Sequence, residues 1–278
     1  MPYIEEVCVT GKVEEHIKYY SWYIHPPGAK REKGSLPSEE RIKKANQRQA
    51  EKKLRRLLNN NFKDGDLLIR LDFFKDKDKV QTSADMQQCM ANFIKRLRRR
   101  TPDVKYVYVK ELGKRGAKHA HMVISKLPLS LISECWDHGG IHADPLYSGG
   151  QYGRIAAYFI KYAGKTEETE GKLIGKRWYG SRNLDKPIVK KRIVMSGSFR
   201  KEPPQKDGWA LDKESVTRGV TSAGYEYMSY SYIRLTPEEP KEIPEEQNIY
   251  ERLKSYVRRR FSVDKFISFF NRKKSEKH

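Results

Sequence analysis

Two histidines and one glutamate of a predicted β-hairpin have the residue types and spacing of ligands for a divalent metal ion. His119 and His121 are separated by one residue, and side chains at positions i and i+2 of a strand project from the same face. Glu111, at the end of the preceding predicted strand, can complete the set across the turn. Two neutral imidazoles and a carboxylate make a three-ligand site for Mg²⁺ or Mn²⁺ with positions open for substrate oxygens. A His-x-His pair also occurs without a metal, so this motif alone does not decide the chemistry.

A second cluster carries two tyrosines and two lysines. Tyr158 and Tyr162 are four residues apart, as are Lys161 and Lys165, and residues at this spacing share one face of a helix. One interpretation is an aromatic stripe in the core with lysines at its rim. The other is a nucleophilic site, since a tyrosine phenolate can attack phosphorus when a metal polarises the phosphate and an ammonium group stabilises the developing charge. The presence of both clusters in one chain favours the second interpretation.

Together with one further stretch, these clusters resemble the motifs of replication initiators of the HUH endonuclease class. Residues Leu67–Asp72 are similar to the first motif of the class, a β-strand, although Arg70 stands where a small or hydroxyl residue is usual. His119-Ala120-His121 is similar to the second motif, and Glu111 stands where the class often has its third metal ligand. The resemblance covers roughly residues 40–195.

The third motif of that class, Tyr-x-x-Lys, appears twice in tandem. The doubled pattern, at Tyr158–Lys161 and Tyr162–Lys165, is similar to the two-tyrosine initiators of small single-stranded DNA phages and mobile elements. The resemblance implies that one tyrosine cuts the replication origin and holds the 5′-phosphate. It also implies that the other tyrosine cuts again after a round of synthesis, so that the strands are rejoined. The sequence does not distinguish which tyrosine acts first.

The resemblance also implies a role for each site residue. Glu111, His119 and His121 would hold the ion that clamps the scissile phosphate. Lys161 and Lys165 would position that phosphate or stabilise the leaving oxygen, and Lys161 is the stronger candidate because both tyrosines flank it.

Two other classes of function compete with a replication initiator. The first is a relaxase or single-strand transposase with the same chemistry, but in relaxases the tyrosine usually precedes the histidines, whereas here it follows them. The second is a noncatalytic nucleic-acid-binding module with an RNA-recognition-like sheet. Its aromatic-rich Lys/Arg-Gly-Phe/Tyr pattern is absent from the sequence. The order and tandem repeat of the motifs therefore favour an initiator.

The charge of the chain indicates a polyanionic partner. The 278 residues contain 57 Lys and Arg against 36 Asp and Glu, a formal charge of +21, which is typical of proteins that bind nucleic acid. We expect single-stranded origin DNA to be the partner, contacted mainly through its phosphates. The predicted DNA-contacting residues are basic and lie in or near the central motifs: Arg96, Arg98, Arg99, Arg100, Lys118 and Arg154.

The sequence lacks the Gly-x-x-x-x-Gly-Lys-Ser/Thr pattern of a nucleotide-binding loop. We therefore expect no intrinsic ATPase, and a helicase and a polymerase supplied by the host.

Three cysteines are too few for a disulfide framework, and no apolar run reaches the roughly 18 residues of a membrane span. The expected location is the cytoplasm of a bacterial host, without membrane association. Cys135, His138 and His142 have a zinc-like spacing but lack a fourth ligand.

Hydrophobic periodicity predicts an α+β fold in which helices pack on one face of a central antiparallel sheet. The resemblance implies that this fold is an RRM-like sandwich of the HUH/Rep nuclease type. Strands are predicted over 67–74, 104–111, 117–125 and 188–194, the second and third forming a hairpin, and 225–234 is a candidate for one more. Helices are predicted over about 38–58, 84–100, 129–136 and 153–163.

Composition suggests four segments along the chain. Residues 1–60 are predicted to be an N-terminal arm and basic helix, and residues 61–200 the endonuclease domain. Residues 201–247 are predicted to be an irregular extension that ends in an acidic, proline-rich linker. Residues 248–278 are predicted to form a basic amphipathic helical tail.

Overall fold

The structure is a computed structural model that describes residues 2–25, 28, 38–74, 82–112, 118–147, 149–170, 176–195, 198–221 and 224–235. Contacts group the chain into two compact units. One contains the described residues of Met1–Val9, Glu14–Ser35 and Ile188–His278, and the other contains those of Thr10–Val13 and Leu36–Pro187. The predicted division at residues 61, 201 and 248 stays a prediction. The acidic part of the linker, from residue 236, and the basic tail lie outside the described residues.

The described residues form ten strands and four helices. In chain order these are β1 (Tyr3–Thr10), β2 (Val13–Tyr19), α1 (Glu39–Asn61), β3 (Leu67–Asp72), α2 (Ser83–Arg100), β4 (Tyr106–Leu112), β5 (Lys118–Ile124), α3 (Leu129–Cys135), β6 (Ile141–Pro145), α4 (Gly153–Glu170), β7 (Tyr179–Gly180), β8 (Val189–Val194), β9 (Trp209–Val220) and β10 (Glu226–Arg234). The strands make two antiparallel five-stranded sheets, in the orders β8-β1-β2-β10-β9 and β6-β3-β5-β4-β7. The predicted α+β class is confirmed.

The second sheet has one apolar face packed against α2 and α3. Strand β3 buries Ile69 and Leu71 on this face, while β5 buries Ala120, Met122 and Ile124 there. The facing side of α2 supplies Met86, Met90, Phe93 and Leu97, which recur at helical spacing. Thr82 begins this helix with a capping box, in which its side chain accepts from the backbone N–H of Asp85 and the Asp85 carboxylate accepts from the N–H of Thr82.

The opposite face of the same sheet is covered by α1 and α4. Val107, Val109 and Val123 project from it and pack against Phe159 and Ile160 of α4. The prediction that the helices lie on one face is therefore wrong. Each strand alternates apolar residues toward both sides, so each face requires its own helical cover.

The first sheet differs from its prediction in three strands. Strands β1 and β2 lie in the segment that was predicted to be an N-terminal arm, and neither strand was predicted. The strand predicted over 188–194 corresponds to β8 and the candidate strand over 225–234 corresponds to β10, whereas β9 was not predicted. In the second sheet, β6 and the short strand β7 were not predicted.

No helix among the described residues is long and apolar enough to cross a membrane. In the described part of the chain, Cys8, Cys89 and Cys135 form no disulfide bond.

Candidate active site

The β4–β5 hairpin brings the predicted metal ligands onto one face of the second sheet. Glu111 pairs directly with His119 across the hairpin, and Val109 pairs with His121. Directly opposed residues of an antiparallel pair project from the same face, so Glu111 joins both histidines on the side covered by α4. The Nε2 atom of His121 lies 3.1 Å from Oε2 of Glu111, and both side chains are buried.

Strand β3 adds a carboxylate that the sequence analysis did not assign to the site. Asp72 pairs with His119 in the sheet, and its Oδ1 lies 2.7 Å from Nδ1 of His119. Arg70 donates to the same carboxylate from Nε at 3.0 Å and from Nη2 at 3.3 Å. His142 of β6 reaches Oδ2 of Asp72 with Nε2 at 3.1 Å. Asp72 is therefore held on three sides, by two histidines and an arginine.

A glycine fixes the backbone position of Asp72. Gly139 has φ +154°, and a Cβ atom there would lie 2.2 Å from the carbonyl oxygen of Asp72. The segment before β6 thus passes against the end of β3 only because residue 139 has no side chain. Gly140 accepts a hydrogen bond from the Asp72 N–H at 2.8 Å.

Both tyrosines of α4 contact His121. The ring of Tyr162 stacks on the ring of His121, with centroids 4.4 Å apart. Tyr158 meets the same imidazole edge to face at 5.2 Å and meets Tyr162 at 4.2 Å. Helix α4 holds this position because Ala156, Phe159 and Ile160 are buried on the adjacent side of the helix.

The two phenols differ in their exposure to solvent. Tyr158 is 40 % exposed, whereas Tyr162 is half-buried. Tyr158 also lines an open cleft of about 350 Å³ beside the histidines. The polar lining of this cleft consists of Arg70, His121, His142, Asp144, Arg154 and Tyr158.

Burial and neighbouring charges set the protonation of the site. Burial raises the pKa of Tyr162, and the hydrogen bond to Tyr158 and the charge of Glu111 act in the same direction. Burial lowers the pKa of His121 and outweighs its hydrogen bond with Glu111, which favours a neutral imidazole. Burial alone would raise the pKa of Asp72, but the hydrogen bonds from Arg70 and His119 outweigh it, so the pKa is lowered and the carboxylate stays ionised.

Imidazole nitrogens and carboxylate oxygens are suitable ligands for a divalent ion, but the three predicted ligands do not all point to one position. Glu111 and His121 approach each other to 3.1 Å, which is about the separation of two ligands on one ion when each bond is about 2.1 Å long. His119 instead turns its Nδ1 atom to Asp72. Across the described ranges, no three His, Cys, Asp or Glu side chains are gathered closely enough to hold an ion. To hold one ion with all three residues, His119 would have to move toward the Glu111–His121 pair.

The remaining predicted residues are distributed around the unit. Lys161 and Arg154 are exposed on α4, and Arg154 lines the cleft next to Tyr158. The side chain of Lys165 lies outside the described residues. Lys118 precedes His119 in β5 and so projects from the other face of the sheet.

The arginines at the end of α2 separate into two pairs. Arg96 forms an ion pair with Asp137 at 2.7 Å, and Arg100 lies 3.8 Å from Glu134. Arg98 and Arg99 instead line a second, larger cleft. None of these four residues lines the cleft at Tyr158.

Asp72, Arg70 and His142 were not predicted to be parts of the site. A signal for the first two is present, since two charged residues share one face of the otherwise apolar strand β3. His142 gave no such signal, because β6 was not predicted and His142 was considered only with Cys135 and His138. Cys135 is buried in the apolar cluster with α2, away from any ligand role.

Comparison with known proteins bears on this site directly. No curated protein and no solved structure shows a significant similarity to the chain. Residues 67–167, which include β3, both strands of the hairpin and the two tyrosines, match the family model described as Replication-associated protein ORF2/G2P, and this match is consistent with a rolling-circle replication initiator.

Proposed function

We propose that the protein nicks single-stranded DNA at a replication origin with a tyrosine nucleophile and later rejoins the strands, which starts and ends rolling-circle replication. The observation that carries this proposal is the contact of both phenols of α4 with His121, on the sheet face that also bears Glu111 and His119. A purely structural aromatic stripe would not require a charged and imidazole-rich surface beneath it. The match to a replication-associated family supports the same role.

Tyr158 is the nucleophile of the first cleavage in this proposal. Its ring is exposed and borders the cleft, so DNA reaches its hydroxyl without rearrangement of the helix. Tyr162 is covered by Tyr158 and His121. It is better placed for a later transfer, after the first phenol has been modified and displaced.

The cleft beside Tyr158 has the charge that a scissile phosphate requires. Arg70 and Arg154 supply guanidinium groups to its lining, and guanidinium groups pair with phosphate oxygens in two-point geometry. Lys161 lies one turn from Tyr158 on α4, and Lys165 one turn further along. We assign Lys161 to stabilising the leaving oxygen and keep Lys165 as a second candidate for that role.

Glu111, His119 and His121 are the residues that would hold Mg²⁺ or Mn²⁺. A bound ion would polarise the phosphate and so make phosphorus more electrophilic. A neighbouring residue of the chain orients one of these ligands. Asp72 fixes Nδ1 of His119, which leaves Nε2 of that ring as the nitrogen for coordination.

The reaction is a transesterification. The phenol of Tyr158 loses its proton, and its oxygen forms a bond to phosphorus while the bond between phosphorus and the 3′-oxygen breaks. The 3′-oxygen takes up a proton and becomes a primer end for a polymerase. The phosphotyrosine bond retains the ester, so attack by a 3′-hydroxyl in reverse seals DNA without ATP.

Unwinding and synthesis would fall to a host helicase and polymerase, in the cytoplasm of a bacterial host.

A covalent-adduct assay tests the proposal. Labelled single-stranded origin DNA is incubated with the protein and Mn²⁺, with and without a chelator, and the products are run on a denaturing gel. We expect a protein–DNA band that requires the ion and disappears in the Tyr158→Phe/Tyr162→Phe double variant. An adduct that persists in the double variant would rule out a tyrosine nucleophile, and DNA binding without any adduct would favour a noncatalytic module.

A further inference from the structure

A second cleft lies on the opposite face of the sheet from the candidate active site. It is an open cavity of about 780 Å³ between α2, strand β4 and the segment around β7. Tyr106 and Tyr108 line it, and they alternate along β4 with Val107 and Glu111, which face α4 and the histidines. The volume is in the range of cavities that bind small molecules and cofactors. The proposed nicking reaction makes no use of this cleft.

The charged residues that line this second cleft are all basic. Its lining includes Lys95, Arg98, Arg99, Lys176 and Arg182. No Asp or Glu is among the described residues that line it. A concave surface with several cations and no carboxylate concentrates anions such as phosphate.

Aromatic rings form the floor beneath these cations. Tyr108 and Tyr179 are stacked with centroids 5.1 Å apart and planes inclined by 13°. Trp178 is half-buried and also lines the cleft. The guanidinium carbon of Arg98 lies 5.6 Å from the centre of the Tyr106 ring. Aromatic rings interleaved with basic side chains are what single-stranded nucleic acid requires, because bases stack on the rings while phosphates meet the cations.

Two buried polar atoms at this cleft have no hydrogen-bond partner among the described residues. They are Nε of Arg98, a donor, and Oε1 of Gln87, an acceptor. The Gln87 amide is oriented by its Nε2 group, which donates to the hydroxyl of Tyr108 at 2.8 Å. A buried polar atom without a partner is costly, so a donor and an acceptor at one cleft indicate a ligand that carries the complementary pair.

We propose that this cleft binds one nucleotide of single-stranded DNA. The base lies against Trp178 and Tyr179, which are half-buried, because Tyr106 and Tyr108 are buried. The flanking phosphates meet the basic rim. Oε1 of Gln87 accepts from an exocyclic amino group, which adenine and cytosine carry on their pairing edges and thymine lacks. Nε of Arg98 donates to the base or to its phosphate. The cleft thus anchors the strand away from the tyrosines, and its binding does not depend on cleavage.

The test separates this binding from the nicking reaction. The Tyr158→Phe/Tyr162→Phe double variant is used in a chelating buffer, and fluorescence anisotropy measures its affinity for short labelled oligonucleotides. Arg98→Gln is compared with Arg100→Gln, a matched change on the same helix that also removes one positive charge but faces Glu134. We expect Arg98→Gln to weaken binding about tenfold and Arg100→Gln less than about threefold. Equal weakening by both variants would overturn the proposal, since it would mean that only net charge matters.

A neutral substitution tests base recognition. We expect Gln87→Leu to weaken binding of oligo-dA and oligo-dC about tenfold and to leave oligo-dT unchanged within about twofold. The same loss for all three sequences would exclude the amide contact. Unchanged thermal unfolding and circular dichroism would show that each variant is folded. Free dAMP is the comparison ligand, and dAMP that binds as tightly as the oligonucleotide would overturn the assignment to a DNA strand.

Discussion

The phenol ring of Tyr162 stacks on the imidazole of His121, with the two planes inclined by 21° and the centroids 4.4 Å apart. This contact joins the motif on α4 to the motif on the β4–β5 hairpin. It also leaves Tyr158 as the outer phenol, at the mouth of the cleft. The two tyrosines therefore share an environment but differ in access to DNA.

Single substitutions of the tyrosines should separate their roles. We expect Tyr158→Phe to reduce formation of the first covalent adduct at least about 100-fold, because the exposed nucleophile is removed. Tyr162→Phe keeps the stacked ring and should leave the first adduct within about threefold of the unmodified protein. It should instead block the second transfer, measured as release of joined DNA from a preformed adduct. Equal loss of the first adduct in both variants would contradict this order.

Asp72 provides a test of the proposed metal site that does not depend on activity. We expect Asp72→Ala to weaken Mn²⁺ binding about 10- to 100-fold, because the hydrogen bond that orients His119 is lost. Binding is measured by titration calorimetry or by the paramagnetic signal of free Mn²⁺. Asp103→Ala is the control, since it removes the same charge from an exposed turn. Equal Mn²⁺ affinity in both variants would remove Asp72 from the site.

Phe159 anchors the tyrosine helix to the sheet. Its side chain is fully buried among Val107, Val109 and the apolar side of α1. We expect Phe159→Ala to lower the free energy of unfolding by about 3–5 kcal/mol, through lost burial and the cavity left behind. Urea denaturation measures this change. The neighbouring exposed residue Ala157 offers a control, and Ala157→Ser should cost less than about 1 kcal/mol. A loss below about 1 kcal/mol for Phe159→Ala would show that the helix is held mainly by other contacts.

The contribution of the first sheet to the free energy of unfolding should depend on pH. Glu5 is buried and contacts His16 and Arg192. Burial alone would raise the pKa of Glu5, but hydrogen bonds from these two residues and nearby positive charges outweigh it and lower the pKa to about 2. The stabilisation is therefore complete above the unfolded pKa of about 4.5 and is lost as pH falls toward about 2.

Replacing the carboxylate of Glu5 should reveal this dependence. We expect Glu5→Gln to lower the free energy of unfolding by about 3 kcal/mol at pH 7 and by progressively less between pH 4.5 and pH 2. Urea denaturation at several pH values provides the measurement. Glu202→Gln, at an exposed position, should show no such trend. A Glu5→Gln effect that is constant with pH would mean that the ion pairs do not stabilise the fold.

Local patterns in the sequence were sufficient to predict the central part of the fold. Strand β3, the β4–β5 hairpin and helices α2 and α4 follow from apolar periodicity, and their predicted bounds lie close to the observed ones except at the end of α4. The i, i+2 spacing of His119 and His121 and the i, i+4 spacing of Tyr158 and Tyr162 fixed which side chains share a face. These relations depend only on strand and helix geometry, so no tertiary information was needed.

The residue pattern within each helix or strand indicates which of its side chains can act together, but which elements meet depends on the three-dimensional fold. The β1 and β2 strands escaped prediction because their buried positions hold Glu5, Glu14 and Lys18, charged residues that leave no apolar period. Glu5 pairs with Lys18 on the neighbouring strand, and Glu14 pairs with His16 and Lys206. Asp72 and His142 joined His119 through the β6-β3-β5 register, which couples residues up to 70 positions apart. The stacking of Tyr162 on His121 likewise results from the packing of α4 on one particular face of the sheet. Long-range register and helix placement are set by summed burial over many residues, and that sum is not readable from any short window of sequence.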